Sequence, residues 1–182
     1  NGEGLQHEDC HSHLLAGAIP NCRSYDPTFA HEVAVILQHG MQRMLEEQVD
    51  KYYYLTVMNE NYPHPGMPEG AEEGIIKGMY LLRDAGKPKK GEHRVQLLGS
   101  GTILREAIAA AELLDRDFGV TADIWSCPSF TELRRDGFDA ERWNRFNPEA
   151  KKPRKAYVTG LLEGRQGPAI AATDYVRAYP DQ

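Results

Sequence analysis

Three histidines (His7, His11, His13), three carboxylates (Glu3, Glu8, Asp9) and one thiol (Cys10) crowd the first thirteen residues of this 182-residue chain. Imidazole titrates near ~6.5 and so gives and takes protons at neutral pH, and a nearby carboxylate can tune or orient it. His7 with Glu3 is therefore a candidate acid/base pair. Gly2 and Gly4 flank Glu3, and glycines so placed let a backbone turn sharply and come close to a ligand. The same window admits two other readings. The spacing H-x-x-x-H-x-H with Cys10 between supplies donors that zinc accepts, although it lacks the two-part grammar of the C-x-x-C and H-E-x-x-H patterns. A polar surface loop whose histidines meet water or cap helices would have the same composition.

The elements that would position these groups come next along the chain. Asp26-Pro27-Thr28 predicts a helix start, with Asp26 as N-cap and Pro27 in the first turn. Phe29, Val33, Ile36, Leu37, Met41, Met44 and Leu45 then recur at helical spacing and predict one buried face, leaving His31 and His39 off the stripe as surface residues. Tyr52–Met58 (Y-Y-Y-L-T-V-M) predicts a strand buried on both faces. Asn59–Gly70, with three prolines and two glycines, predicts a linker, in which His64 is a solvated residue.

Ala71–Asp84 predicts a short helix and a strand near Met79–Leu82, and Gly86–Glu92 an exposed charged turn. Val95–Leu98, the turn Gly99-Ser100-Gly101-Thr102 and the stripe Ile103, Leu104, Ala107, Ile108, Ala111, Leu114 read as strand, glycine turn and helix, with Thr102 as N-cap. The turn could cradle a phosphate, but it lacks the third glycine of a dinucleotide fingerprint and the lysine of a P-loop. Ala122–Cys127 predicts a strand and Ser129–Glu132 a capping box opening a helix. Gly137 should interrupt that helix, with Asp139 capping the next. Lys151, Lys152, Arg154 and Lys155 form a basic loop, a solvated face or a dock for an acidic partner. Ala156–Leu162 and Ala169–Thr173 predict further strands. Strands alternating with helices imply an α/β fold of parallel-sheet βαβ units.

Composition narrows the function. Lys and Arg number 21 against 27 Asp and Glu, a net charge of -6, so nothing draws the chain to nucleic acid or anionic membrane in general. No stretch approaches the ~18 apolar residues of a membrane helix. Three cysteines, Cys10, Cys22 and Cys127, are an odd number without motif spacing, which fits reduced thiols and a cytoplasmic location.

A family resemblance runs through these blocks. N-G-E-G-L-Q-H-E-D-x-H-S-H (Asn1–His13), I-P-N-C-x-S-Y-D-P (Ile19–Pro27), N-E-N-Y (Asn59–Tyr62) and M-P-E-G-A-E-E-G-I (Met67–Ile75) are colinear with V-Q-L-L-G-S-G (Val95–Gly101), S-F-T-E-L (Ser129–Leu133), E-R-W-N (Glu141–Asn144) and A-T-D-Y (Ala172–Tyr175). Together they resemble the homodimeric bacterial pyruvate dehydrogenase E1 family, transketolase-like enzymes that use thiamine diphosphate. The resemblance covers essentially the whole chain and implies an internal piece of a longer protein. Residues 1–67 would end the middle, pyrimidine-binding domain, and residues 68–182 would form part of the transketolase C-terminal-like domain. Cys10 stands where the family pattern is expected to carry glycine.

The resemblance further implies thiamine diphosphate and Mg2+ as cofactors, pyruvate as substrate, a second E1 subunit as partner, and acetyl transfer to the lipoyl group of the E2 dihydrolipoyl acetyltransferase. It makes His7 and Glu3 the catalytic residues, with Gln6 and His13 secondary, and places the cofactor-activating glutamate, metal site and diphosphate-binding residues outside this chain. Other 2-oxo acid dehydrogenases, transketolase itself, or a non-catalytic assembly or dimerisation module remain alternatives.

Overall fold

The structure, a computed structural model, describes residues 8–182. A short helix α1 (Ser12–Gly17) leads to strand β1 (Cys22–Tyr25), helix α2 (Ala30–Met41), a π-helical turn (Gln42–Glu46) and strand β2 (Tyr52–Leu55). After an irregular segment come α3 (Glu72–Lys77), β3 (Tyr80–Arg83), β4 (His93–Gly99), α4 (Ile103–Phe118), β5 (Val120–Ser126), α5 (Phe130–Phe146), α6 (Tyr157–Leu162) and β6 (Ala169–Ala172). β1 and β2 pair in parallel, Cys22 opposite Tyr52 and Tyr25 opposite Leu55. The second sheet has the order β3-β5-β4-β6. β4 runs parallel to both neighbours and β3 antiparallel to β5. The fold is mixed α/β with parallel strands, as the alternating pattern predicts.

Side-chain alternation along the central strands sends residues to two cores. Val95 and Leu97 with Ala122 and Ile124 pack against Leu104 and Ala111 of α4. Leu98 and Trp125 point the other way, onto Phe130 and Leu133 of α5 and onto Tyr179. Both faces of the parallel pair are thus covered by helices, which is what near-continuous apolar strands require. A third cluster, Tyr25, Ile36, Ala71, Ile75 and Tyr80, joins β1 and α2 to α3 and β3.

Several expectations are corrected. Asp26 does not cap α2. The N-cap is Phe29, and Glu32 at the third helical position closes the box, its carboxylate accepting from the backbone N–H groups of Thr28 (2.5 Å) and Phe29 (3.0 Å). The face that α2 buries is Glu32, Ile36 and Gly40, whereas Leu37, Met41, Met44 and Leu45 of the apolar stripe are exposed. Phe29 and Ile36 of that stripe are buried as expected, but nothing among the described residues covers its later part. For the same reason β2 is not doubly buried: it ends at Leu55, it is an edge, and Tyr52 is exposed.

Ala156–Leu162 is not a strand. Tyr157, Val158, Leu161 and Leu162 share one face of α6 and pack on the second core, a period of 3.6 rather than 2. α5 continues through Gly137, so Asp139 caps nothing. Thr102 occupies the N-cap position of α4 without a side-chain capping bond. Ser129 does cap α5, accepting from Glu132 N–H at 3.0 Å, but the Glu132 carboxylate turns away to Arg23 at 2.8 Å.

Candidate functional site

The opening segment is the place to look for chemistry. Glu3, Gln6 and His7 lie outside the described residues. The groups that anchor the chain just after them are visible. Asp9 accepts from the backbone N–H of Ser12 (3.0 Å) and His11 (3.3 Å) and from the Ser12 hydroxyl. Burial works to raise the Asp9 pKa, but these hydrogen bonds outweigh it and hold the carboxylate below its ordinary value. The Cys10 carbonyl accepts from Val176 N–H at 3.2 Å. Cys10 itself is half-buried and, like Cys22 and Cys127, carries a free thiol.

The histidine cluster divides. His11 is exposed, while His13 is fully buried. The His13 ring stacks on Tyr179 (centroids 5.0 Å apart) and meets Tyr175 (4.6 Å) and Tyr54 (5.5 Å) edge-on. Burial is the larger effect on its basicity and the nearby Asp9 carboxylate only partly offsets it, so the His13 pKa falls to about 4. His13 is neutral at physiological pH. Its Nε2 lies 3.1 Å from the Thr56 hydroxyl. Among the described residues no group of three or more His, Cys, Asp or Glu side chains is placed to hold a metal ion.

Asp26, displaced from its expected capping role, is the hub of this junction. One carboxylate oxygen accepts from Thr56 Oγ1 at 2.6 Å and the other from Ser100 Oγ at 3.0 Å. Ser100 is also 3.0 Å from the Thr173 hydroxyl. No cation faces the carboxylate among the described residues, and burial pushes its pKa up to about 6. The glycine turn packs directly against this carboxylate. Gly101 N–H donates to the Asp26 carbonyl at 3.0 Å, and a Cβ on Gly101, whose φ is +49°, would stand 2.3 Å from the Asp26 carboxylate. A turn already filled by a carboxylate repels a phosphate, so the turn is βα geometry closing on Asp26.

A second buried carboxylate, Glu32, sits nearby and is well satisfied. Besides the two backbone donors it accepts from the Tyr80 hydroxyl (2.7 Å) and from Ser126 Oγ. His31, expected on the surface, is half-buried with Nε2 3.0 Å from the Tyr80 hydroxyl. His64 is exposed, yet its Nδ1 accepts from Ala30 N–H at 3.0 Å at the start of α2. The basic loop residues Lys151, Lys152, Arg154 and Lys155 are all exposed. Arg154 lies over Trp143 and Lys155 pairs with Glu163.

Sequence reasoning singled out His13 within the opening cluster and missed the residues that surround it. Thr56 lies within an apolar strand pattern and Asp26 in a convincing capping motif, so neither advertised a buried polar junction. The only signal for Tyr175 and Thr173 was their place in the A-T-D-Y block.

Comparison with known proteins bears on these groups. Residues 1–65 match the family model of the pyruvate dehydrogenase E1 component middle domain, and residues 78–182 that of the transketolase-like TK C-terminal domain. Along all of its residues the chain is 64% identical to the pyruvate dehydrogenase E1 component of Pseudomonas aeruginosa, 60% to that of Cupriavidus necator and 54% to that of Escherichia coli. It spans 20% of the length of each. Among solved structures, a Pichia stipitis transketolase aligns over 92% of this chain and 23% of its own, with a TM-score of 0.55 at 16% identity, a likeness of fold alone.

Proposed function

The chain belongs to the transketolase-like family, with pyruvate dehydrogenase E1 components as relatives along its whole length, and we propose that it works within such an E1 component. There it would contribute to the thiamine diphosphate-dependent oxidative decarboxylation of pyruvate, with acetyl transfer to the lipoyl group of E2. The observation that supports this reading most is the identity of 64% that includes the opening segment with His7 and Glu3. A second E1 subunit, E2 and a cytoplasmic setting belong to the same proposal. No helix among the described residues is long and apolar enough to cross a membrane. We place the boundary between the two domains at residues 67 and 68, inside the segment without regular structure.

The described residues do not fit the cofactor's diphosphate or its metal. The one glycine turn that could cradle phosphate is occupied by Asp26, and no ligand cluster is present among them. Thiamine diphosphate supplies carbanion stabilisation when bound, and its diphosphate and metal would be held by groups other than the described residues. This chain's contribution is made by side chains. His7 moves a proton and hydrogen-bonds developing negative charge at the reacting oxygen, an interaction realised mainly in the transition state. Glu3, four residues earlier, sets the protonation and orientation of that imidazole.

Substrate competition on a protein of the relatives' full length tests the reading. Pyruvate should release carbon dioxide and load a lipoyl acceptor in preference to 2-oxoglutarate or branched 2-oxo acids, and ketose phosphates should not serve as donors. Preference for another 2-oxo acid, or ketol transfer from a sugar phosphate, would move the chain to one of the other branches of its superfamily.

A further inference from the structure

Charge is unevenly placed along this chain. Residues 142–155 carry six Lys and Arg against one Glu, leaving 15 of the 21 cations against 26 of the 27 carboxylates for the rest. Two of the six are neutralised in place, Arg145 by Glu141 at 2.7 Å and Lys155 by Glu163 at 2.6 Å. Arg142, Lys151, Lys152 and Arg154 are exposed and pair with no carboxylate among the described residues. Cations near a helix C-terminus offset its dipole, which accounts for the sign of this charge but not for the rings beside it. Phe146 is 69% exposed, and Arg142, one turn earlier, lies over it at 5.2 Å. The pattern repeats at Arg134 and Phe138, 4.7 Å apart, with Phe138 51% exposed. Positions 134, 138, 142 and 146 fall four apart and form one ridge of α5, away from Phe130, Leu133 and Ala140, which the helix buries. Beside the ridge, Arg154 lies over Trp143 at 4.4 Å.

This face is tied down. Asn144 Oδ1 accepts from Arg154 N–H at 2.7 Å and Asn144 Nδ2 donates to the Arg154 carbonyl at 2.9 Å, while Asn147 Nδ2 donates to the Trp143 carbonyl at 2.8 Å. Both ends of the basic loop are thus fastened to the last turns of α5. A guanidinium stacked on a ring keeps its N–H fork free for a carboxylate, and a group already held in place gives up less entropy on binding. Arg and aromatic side chains are also those that carry most of the energy at protein interfaces.

We propose that the last turns of α5 and the loop 147–155 form a docking face for an acidic protein segment, one that sets carboxylates on Arg142, Lys151, Lys152 and Arg154 and an apolar or aromatic side chain on Phe146. Charge complementarity sets the sign of the partner. The 26 carboxylates against 15 cations elsewhere on the chain repel a long uniform polyanion, which favours a protein over nucleic acid. The inference goes beyond the decarboxylation reading and gives these residues no part in it.

The test uses the E1-length protein and, as probe, a fluorescent random copolymer of glutamate and tyrosine read by anisotropy, with polyglutamate and a single-stranded oligonucleotide as comparisons. The parent should bind the copolymer more tightly than either comparison, and more weakly as salt rises. The variant Lys151→Glu/Lys152→Glu/Arg154→Glu should lose about tenfold or more in affinity. Lys87→Glu/Lys89→Glu/Lys90→Glu, the same change of charge in the exposed turn 86–92, should stay within about threefold of the parent. Phe146→Ala changes no charge and should weaken the copolymer by about fivefold while leaving polyglutamate binding as it was. No copolymer binding by the parent, or equal losses in the two triple variants, overturns the proposal. Oligonucleotide binding as tight as the copolymer's and lost in the loop variant overturns it in favour of nucleic acid, and a changed oligomeric state in that variant overturns it in favour of a second copy on this face. If the loop variant does not fold, the selectivity of Phe146→Ala between copolymer and polyglutamate decides. Cofactor-dependent decarboxylation should be parental in every variant, so failure of the E1 reading would show separately and leave the binding result standing.

Discussion

Two buried groups at the junction titrate in opposite senses. Asp26 ionises near 3.8 when unfolded and near about 6 when folded. Between those values the folded state holds the extra proton, so this group's contribution to stability falls as pH rises. His13 ionises near 6.5 when unfolded and near about 4 when folded. There the unfolded state holds the extra proton, and stability rises with pH. At about 1.4 kcal/mol per pH unit each effect is on the order of 3 kcal/mol, and over the shared window of roughly pH 4 to 6 they oppose each other. Removing one should expose the other. In urea unfolding of this chain, the stability of Asp26→Asn relative to the parent should climb by about 3 kcal/mol from pH 4 to pH 7. A difference that stays flat across that range would mean Asp26 does not hold a proton in the fold.

At the scale of elements, two glycines of similar appearance in the sequence should respond oppositely to alanine. Gly101 has a left-handed φ of +49° and a Cβ there would collide with the Asp26 carboxylate. Gly101→Ala should destabilise by roughly 2 kcal/mol or more, combining backbone strain and displacement of a buried carboxylate. Gly137 lies inside α5, where a Cβ would meet nothing within 4 Å. Gly137→Ala should therefore stabilise by about 1 kcal/mol through helix propensity alone. Melting temperatures of the two variants check both signs together, and two shifts in the same direction would contradict the placement of Gly101 in a left-handed turn and of Gly137 inside α5.

The sequence made the βα repeat legible because strand, glycine turn and amphipathic helix each leave a strong local pattern, as at Val95–Leu114. The irregular segment 59–70 and β3 were legible too, from prolines and from an apolar run. Ala156–Leu162 was misread because a short apolar segment has no decisive period, and its helix is selected by packing on Leu133 and Trp125. The Asp26 cap was misread because Asp-Pro is a good local start. Tertiary partners 30 and 74 residues away, Thr56 and Ser100, claimed that carboxylate instead. The junction of Asp26, Thr56, His13 and Ser100 was not legible, because it is assembled from residues too far apart in the chain to form a motif.

At the scale of the whole molecule, the chain is a fifth of the length of its E1 relatives, and its surface fits that. Leu37, Met41 and Leu45 present apolar area to solvent, as does Ile170 on the edge strand β6, surfaces that would gain from further protein against them. The absence of a diphosphate cradle among the described residues leads to a definite expectation for the chain on its own. Calorimetric titration with thiamine diphosphate and Mg2+ should show no binding by the 182 residues, and pyruvate should not be decarboxylated. Stoichiometric cofactor binding would contradict the division of labour proposed between this chain and the rest of an E1 protein.

The most direct measurement is pyruvate decarboxylation by the E1-length protein, parent and His7→Ala, with and without thiamine diphosphate and Mg2+. The parent should release carbon dioxide only with the cofactor. The variant should dimerise and bind cofactor normally yet turn over about 100-fold or more slowly, as expected when a group acting in the transition state is lost. Near-parental turnover by His7→Ala would take the opening segment out of the chemistry, and a parent with no cofactor-dependent release would remove the E1 function altogether.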